Sequence, residues 1–112
     1  MNVTQVLSDM DDLPEFCYAN KPINVNSVGI FGNTPLNIAA TQGNVESVQM
    51  LIAAGANINF QGEGGSTPLH DAIEQNNQAV IDVLIKYGAN KNIKNNDGLT
   101  AESLASLLNL KL

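Results

Sequence analysis

The sequence is poor in several residue types, and each shortage excludes something. It has no tryptophan, and aromatics make up 4% of a chain that is 44% apolar. Small and medium aliphatic side chains must therefore fill the core. It has no arginine either. All five basic residues are lysines, set against eleven acids, for a net charge of −6. A protein that grips a phosphate backbone needs a basic stripe and usually the forked donors of arginine, so nucleic acid is a poor partner. The single cysteine, Cys17, rules out an internal disulfide. The one histidine, His70, and one distant cysteine make neither a metal ligand set nor a nucleophile–base pair. No span approaches the roughly 20 apolar residues of a membrane helix. The opening residues, MNVTQVLSDMDD, have neither the basic start nor the apolar run of a secretory signal. The expectation is a cytoplasmic protein without cofactor, metal or membrane partner, whose 112 residues form one domain.

What is present is periodic. Thr34-Pro35-Leu36 returns as Thr67-Pro68-Leu69, and a weaker copy begins at Thr100-Ala101, each step being 33 residues. Gly32, Gly65 and Gly98 keep the same step, as do Ala39, Ala72 and Ala105, and Asn26, Asn59 and Asn92. A shared period near 33 at unrelated residue types points to a stacked repeat.

The residues resemble the ankyrin repeat. Its hallmark is Gly-x-Thr-Pro-Leu-His, a short helix, a second helix and Gly-Ala-x-x-Asn. Here Gly65-Ser66-Thr67-Pro68-Leu69-His70 leads to Leu84-Ile85 and then Gly88-Ala89-Asn90-Lys91-Asn92. The copy before it has Gly32-Asn33-Thr34-Pro35-Leu36-Asn37, Gly43, Leu51-Ile52 and Gly55-Ala56-Asn57-Ile58-Asn59. The resemblance covers nearly the whole chain. It implies an all-α fold, a solenoid of stacked helix–turn–helix units with protruding β-turns. It also implies a binding scaffold rather than an enzyme, with many partners open to it.

The period divides the chain into residues 1–30, 31–63, 64–96 and 97–112. The first segment reads as a degenerate capping repeat. Val3, Val6, Leu7 and Met10 have the spacing of its first helix, and Pro14 suits the first turn of a second. Leu13, Phe16, Cys17 and Ala19 are expected to face inward, with Asp9, Asp11, Asp12 and Glu15 on a solvated side or at the joint. In the two full units Thr34 and Thr67 stand at helix N-caps, each followed by proline. Leu36, Ala39, Ala40, Val48, Leu51 and Ile52, and then Leu69, Ala72, Val80, Ile81, Leu84 and Ile85, face the stack. Asn76-Asn77 replaces Gly43-Asn44 as the break between helices, since asparagine tolerates the left-handed conformation. In the last segment Leu104, Leu107 and Leu108 are expected to form the inner face. Glu102, Ser103 and Ser106 make its outer side polar, and Leu110 and Leu112 are expected to fold back onto the last stack rather than form a small exposed patch.

For function, the resemblance implies that His70 is structural, tying the turn to its neighbouring threonine, with Asn37 in the equivalent place. No catalytic residue is assigned. Asp71 and Glu74 sit one turn apart but lack any further catalytic partner. In ankyrin proteins the turn tips and first helices line a concave face where partners bind. Carried over by position, that face includes Phe31 and Asn33 at the first tip, and Ile38, Thr41 and Gln42 on the helix that follows. The second tip adds Glu63 and Ser66, and its helix Asp71, Glu74 and Gln75. Tyr87 closes the second unit, and Asn96, Asp97 and Leu99 form the third tip. Phe31, Tyr87 and Leu99 would serve as apolar anchors among carboxylates and amides. Charge is uneven: residues 1–80 hold eight acids and one lysine, net −7, whereas residues 81–112 hold three acids and four lysines, net +1. The expected function is that of a protein, monomeric when free, that binds one partner, as an immunity protein or inhibitor masking a toxin or enzyme with a basic cleft. The alternative is a structural or regulatory adaptor acting through Leu110 and Leu112.

Overall fold

The computed structural model describes residues 2–112, which form six helices: α1 (Val3–Met10), α2 (Pro35–Gln42), α3 (Val45–Ala53), α4 (Pro68–Glu74), α5 (Gln78–Lys86) and α6 (Ala101–Leu107). Single 3-10 turns lie at Pro14–Phe16 and Glu63–Gly65, and there is no strand among the described residues. The helices pack in two rows. A front row stacks α2 on α4 and α4 on α6, and a back row stacks α1 on α3 and α3 on α5. Within a unit α2 packs on α3, and α4 on α5.

Local chemistry starts and stops each helix. Thr34, Thr67 and Thr100 cap the front-row helices in extended conformation, each hydroxyl accepting from the amide three residues on. In the first two the third residue reaches back: Asn37 Oδ1 accepts from Thr34 N at 3.0 Å, and His70 Nδ1 from Thr67 N at 3.1 Å. That reciprocal arrangement satisfies two otherwise orphaned donors. Ser103 instead meets the Thr100 hydroxyl at 3.0 Å. The back-row helices are capped by asparagine, Asn44 for α3 and Asn77 for α5, through the amides of Ser47 and Val80, each at 3.1 Å. The break between rows needs a left-handed residue. Gly43 supplies it at φ 74° and Asn76 at φ 52°, in register one step apart.

The interface between stacked units is aliphatic, as the shortage of aromatics requires. Leu36, Ala39, Ala40, Val48, Leu51, Leu69, Ala72, Ile73, Val80 and Leu84 have no accessible surface at all. The alanines let the front-row helices approach, and a larger residue there would overpack. Ile52 and Ile85 are only half-buried.

Asparagine side chains lace the turns together. Asn57 N donates to Asn26 Oδ1 at 3.0 Å, and Asn90 N to Asn59 Oδ1 at 2.8 Å. The three tips are superimposable in their bonding. Gly29 N donates to Asn33 O, Gly62 N to Ser66 O and Asn95 N to Leu99 O, at 2.8, 2.8 and 2.9 Å. Asn26 and Asn59, one 33-residue step apart, are therefore the rungs that hold one repeat to the next.

The N-terminal segment departs from expectation. Helix α1 packs on α3, so it joins the back row and is not a first helix of its unit. Its cap agrees: Asn2 accepts from Gln5 N at 2.9 Å, the asparagine cap of the back row rather than the threonine cap of the front. The expected second helix is only the 3-10 turn at Pro14–Phe16. After so short a turn only one side of the chain can face inward. Phe16 is fully buried and Ala19 half-buried, while Cys17 is exposed, contrary to the inward position expected for it. Glu15 is buried rather than solvated.

The last helix corrects a second expectation. Ala101, Leu104 and Ala105 are its buried face, whereas Leu107 is 68% and Leu108 43% exposed. The register explains it: Leu107 stands one step after Glu74, and Leu108 one step after Gln75, both exposed positions. Glu102, Ser103 and Ser106 are exposed as expected. Leu110 does fold back, half-buried against the core with its amide donating to Ala105 O at 2.7 Å, whereas Leu112, expected to fold back with it, is exposed.

Candidate functional site: an acidic cleft between tips and front row

The front-row helices turn one polar edge toward the tips. On α2 the spacing i, i+3, i+4 puts Ile38, Thr41 and Gln42 on that edge. One repeat on, α4 presents Asp71 and Glu74 at the same positions as Ile38 and Thr41. The tips supply the opposite wall with Asn33, Glu63, Gly64, Ser66, Asn95 and Asp97. Together with Asn37 at the floor these residues enclose a cleft of about 440 Å³.

Most residues expected at the binding face meet there: Asn33, Ile38, Thr41, Gln42, Glu63, Ser66, Asp71, Glu74 and Asp97 all line the cleft. Five do not. Phe31 is exposed on the first tip outside it, and Gln75 is the residue that ends α4. Asn96 lies exposed on the third tip, bonded to Gly64 O at 2.9 Å. Leu99 is half-buried beside a separate depression over α6. Tyr87 ends α5 in the back row, with Lys86 Nζ 5.6 Å from its ring centroid. The three expected anchors, Phe31, Tyr87 and Leu99, therefore do not share the cleft, whose walls are polar and acidic.

Sequence reasoning missed Asn37, Gly64 and Asn95 as lining residues. Gly64 was findable, since it stands one step before Asp97. Asn37 is buried and works as a hub. Its Nδ2 points at Phe60 O (3.1 Å), Ser66 O (3.4 Å) and Asp71 Oδ2 (3.5 Å). Two protons shared among three acceptors hold the second tip against both helices. Glu15 was missed for a different reason: charge runs are usually solvated. Its carboxylate accepts from Phe31 N (2.8 Å), Asn33 N (3.2 Å) and Asn33 Nδ2 (3.1 Å), which pins the first tip. The rest of the N-terminal acidic run is dispersed. Asp11 pairs with Lys21 at 3.7 Å and accepts from Ile23 N, and Asp9 accepts from Gln5.

The cleft holds four carboxylates, Glu63, Asp71, Glu74 and Asp97, and no lysine. Burial pushes Asp71 up from 3.8 to about 8, and the charges of Glu74 and Glu63 add to the rise while the Asn37 amide opposes it. Asp71 is therefore largely protonated at neutral pH, a neutral carboxyl set among acids.

His70 is structural, as the resemblance implied. Nδ1 accepts from Thr67 N, so the proton sits on Nε2, which lies 2.9 Å from Leu99 O. Both nitrogens are committed, and the ring is buried. Among the described residues no three histidine, cysteine, aspartate or glutamate side chains, those of the cleft included, are so placed that they could hold one metal ion. No helix among them is long and apolar enough to cross a membrane.

Stacked helix pairs, tips joined rung to rung and a cleft along the front row define a repeat scaffold for binding. The sequence matches the family model for ankyrin repeats, in three copies, over residues 6–95. The chain belongs to the ankyrin repeat family, whose members generally mediate protein–protein interactions. No curated protein matches it.

Proposed function

We propose that this chain is a non-enzymatic module that holds one partner protein in the cleft, and that the partner offers a basic surface there. The observation that carries this reading is the charge of the walls: four carboxylates line the cleft and no cation does. Like charges held together raise one another's energy, and a partner's lysine or arginine relieves that cost while steering the encounter. Asp71 fits the same role, because an ammonium or guanidinium beside it draws its proton off and leaves an ion pair. An inhibitor or immunity protein that masks a basic substrate cleft of a toxin or enzyme would use such a surface. The adaptor alternative has less to work with, since Leu110 packs against the core and only Leu112 of its two leucines is exposed.

The test is capture of the partner from the native host, identification of it, and titration of the purified pair. A 1:1 complex that weakens with salt is expected, and that loses about tenfold or more in affinity in Glu63→Gln/Asp71→Asn/Glu74→Gln, the loss of 1.4 kcal/mol or more that charged contacts carry. An affinity indifferent to both salt and the triple substitution removes the reading.

A further inference from the structure

The three tips share one backbone hydrogen bond, from Gly29, Gly62 and Asn95 to the residue four on, so they serve as controls for one another, although Gly64 alone of the central residues is left-handed. At the second tip the central positions are Glu63 and Gly64, and at the third Asn96 and Asp97. At the first they are Ile30 and Phe31, which are 48% and 56% exposed. The turn itself asks for no apolar residue there, as the other two show. These two side chains also have neighbours. Ile30 N donates to Glu15 O at 2.7 Å, which lays the segment that begins at Pro14 alongside the first tip. Three residues after Glu15 comes Tyr18, 86% exposed, and it lines a shallow depression together with Val28. Two of the five aromatic residues of the chain thus stand in water on one edge. Single exposed apolar side chains need no explanation, but four on adjoining segments do, Ile30 and Phe31 on the tip and Tyr18 and Val28 at the depression.

We propose that the partner held in the cleft carries an apolar cluster beside its basic surface, and that this cluster docks on the rim formed by Tyr18, Val28, Ile30 and Phe31. The inference rests on the cleft reading above and extends it. Asn33 connects the two surfaces. It lines the cleft and bonds Glu63 through Nδ2 at 3.4 Å, and it stands two residues from Phe31 on the same tip. Glu15 holds that tip rigid through three N–H donors, so little order is lost when a partner settles on it. Aromatic side chains beside a charged surface are the composition that protein interfaces favour. The same partner must then be amphipathic, with lysine or arginine meeting the cleft and leucine- or phenylalanine-like side chains meeting the rim.

Two synthetic peptides test this on the full chain. One carries a lysine run followed by a leucine–phenylalanine pair. The other has the same lysines with serine in place of the pair. Amide shifts in nuclear magnetic resonance spectra report where each binds. The apolar peptide is expected to move Tyr18 and residues 28–31 as well as the cleft, and the serine peptide to move the cleft alone. The apolar peptide should bind roughly tenfold more tightly, the range of an interface anchor. Ile30→Ser/Phe31→Ser should remove that advantage and leave the serine peptide unaffected. Both residues are exposed, so an unchanged circular dichroism spectrum is expected of the variant. Equal affinities of the two peptides, with shifts confined to the cleft, would overturn the rim and leave the cleft standing. Shifts at residues 28–31 with none in the cleft would overturn the joint surface and the cleft reading with it. Binding of neither peptide overturns both.

Discussion

His70 Nε2 lies 2.9 Å from the carbonyl oxygen of Leu99, a residue 29 positions further along the chain. One repeat earlier Asn37 Nδ2 reaches the equivalent carbonyl, that of Ser66, at 3.4 Å. Each side chain therefore closes its own helix cap and also fastens the next tip. His70→Ala leaves the buried Thr67 amide without its partner and takes one of two donors from the Leu99 carbonyl, which Asn95 N still holds. The expected loss is about 1–3 kcal/mol of unfolding free energy, from one unsatisfied buried donor. His70→Asn should recover a good part of it, since Asn37 shows that an amide fits the geometry. Urea unfolding of the three proteins compares them directly. A His70→Ala variant within about 0.5 kcal/mol of the parent, the spread of ordinary surface substitutions, would mean that the two bonds are worth little.

Asp71 makes stability depend on pH. Its carboxyl stands near 8 in the folded chain against 3.8 ordinarily, because burial and the neighbouring Glu74 and Glu63 disfavour the charge. Between those values the folded state binds the proton and the unfolded state does not. Stability from this group is thus full below about pH 4, falls as pH rises toward 8, and is level beyond. The total change is on the order of a few kcal/mol. Asp71→Asn keeps the shape and removes the titration. Unfolding measured at acid, neutral and alkaline pH should show the gap between parent and variant widening in favour of asparagine as pH rises. A gap that stays constant would place Asp71 in ordinary solvent.

The two left-handed breaks give an internal comparison. Gly43 sits at φ 74° and a Cβ there would run into the Asn77 amide, whereas Asn76 holds the matching place at φ 52°. Gly43→Ala should cost about 1–2 kcal/mol or more, the left-handed penalty for a side chain with the clash added. Asn76→Gly should change stability by less than about 0.5 kcal/mol, because asparagine already tolerates the conformation. Thermal melts rank the two. A harmless Gly43→Ala would show that the turn relaxes.

Position in the stack, not residue type, decides what a leucine of α6 contributes. Leu104 is 5% and Leu107 68% exposed. Leu104→Ala is expected to cost about 2–4 kcal/mol through lost burial and the cavity left behind. Leu107→Ala should stay within about 0.5 kcal/mol, as surface substitutions do. Similar costs at both would mean that something covers Leu107 in solution.

How far the sequence could be read follows from these cases. Wherever the 33-residue step repeats, residue type transfers to place. Thr34 and Thr67 cap, Asn26 and Asn59 link, and Asn76 substitutes for Gly43. The same step carried most of the cleft, because Ile38 and Asp71, or Thr41 and Glu74, are one position in two units. Legibility failed where the step has no partner. Residues 11–20 run on no repeating template, so the burial of Glu15 and the exposure of Cys17 depend on a single 3-10 turn that no pattern fixes. Leu107 and Leu108 fit a helical spacing that continues from Leu104, but the step sets them in register with Glu74 and Gln75, which are exposed. The three expected anchors lie outside the cleft for a related reason. Exposure was inferred correctly for Phe31 and Tyr87, yet which edge of the molecule each occupies depends on the tip and the back row, not on local sequence.

Protonation of Asp71 also makes a prediction for binding that differs from simple charge screening. If a partner cation settles beside Asp71, the complex favours the ionised carboxyl, and below about pH 8 that state is reached only by releasing a proton. Affinity should then strengthen with pH, approaching about tenfold per pH unit for one proton until the carboxyl of the free protein is itself ionised. Calorimetric titration in buffers of different ionisation heat counts the proton directly. Asp71→Asn should abolish the release while the salt dependence, carried also by Glu63, Glu74 and Asp97, survives in part. Glu63→Gln/Glu74→Gln lifts two of the repulsions on Asp71 but not its burial, so it should lessen proton release without ending it. Proton release unaltered in Asp71→Asn would assign the titration to another group and take Asp71 out of the contact.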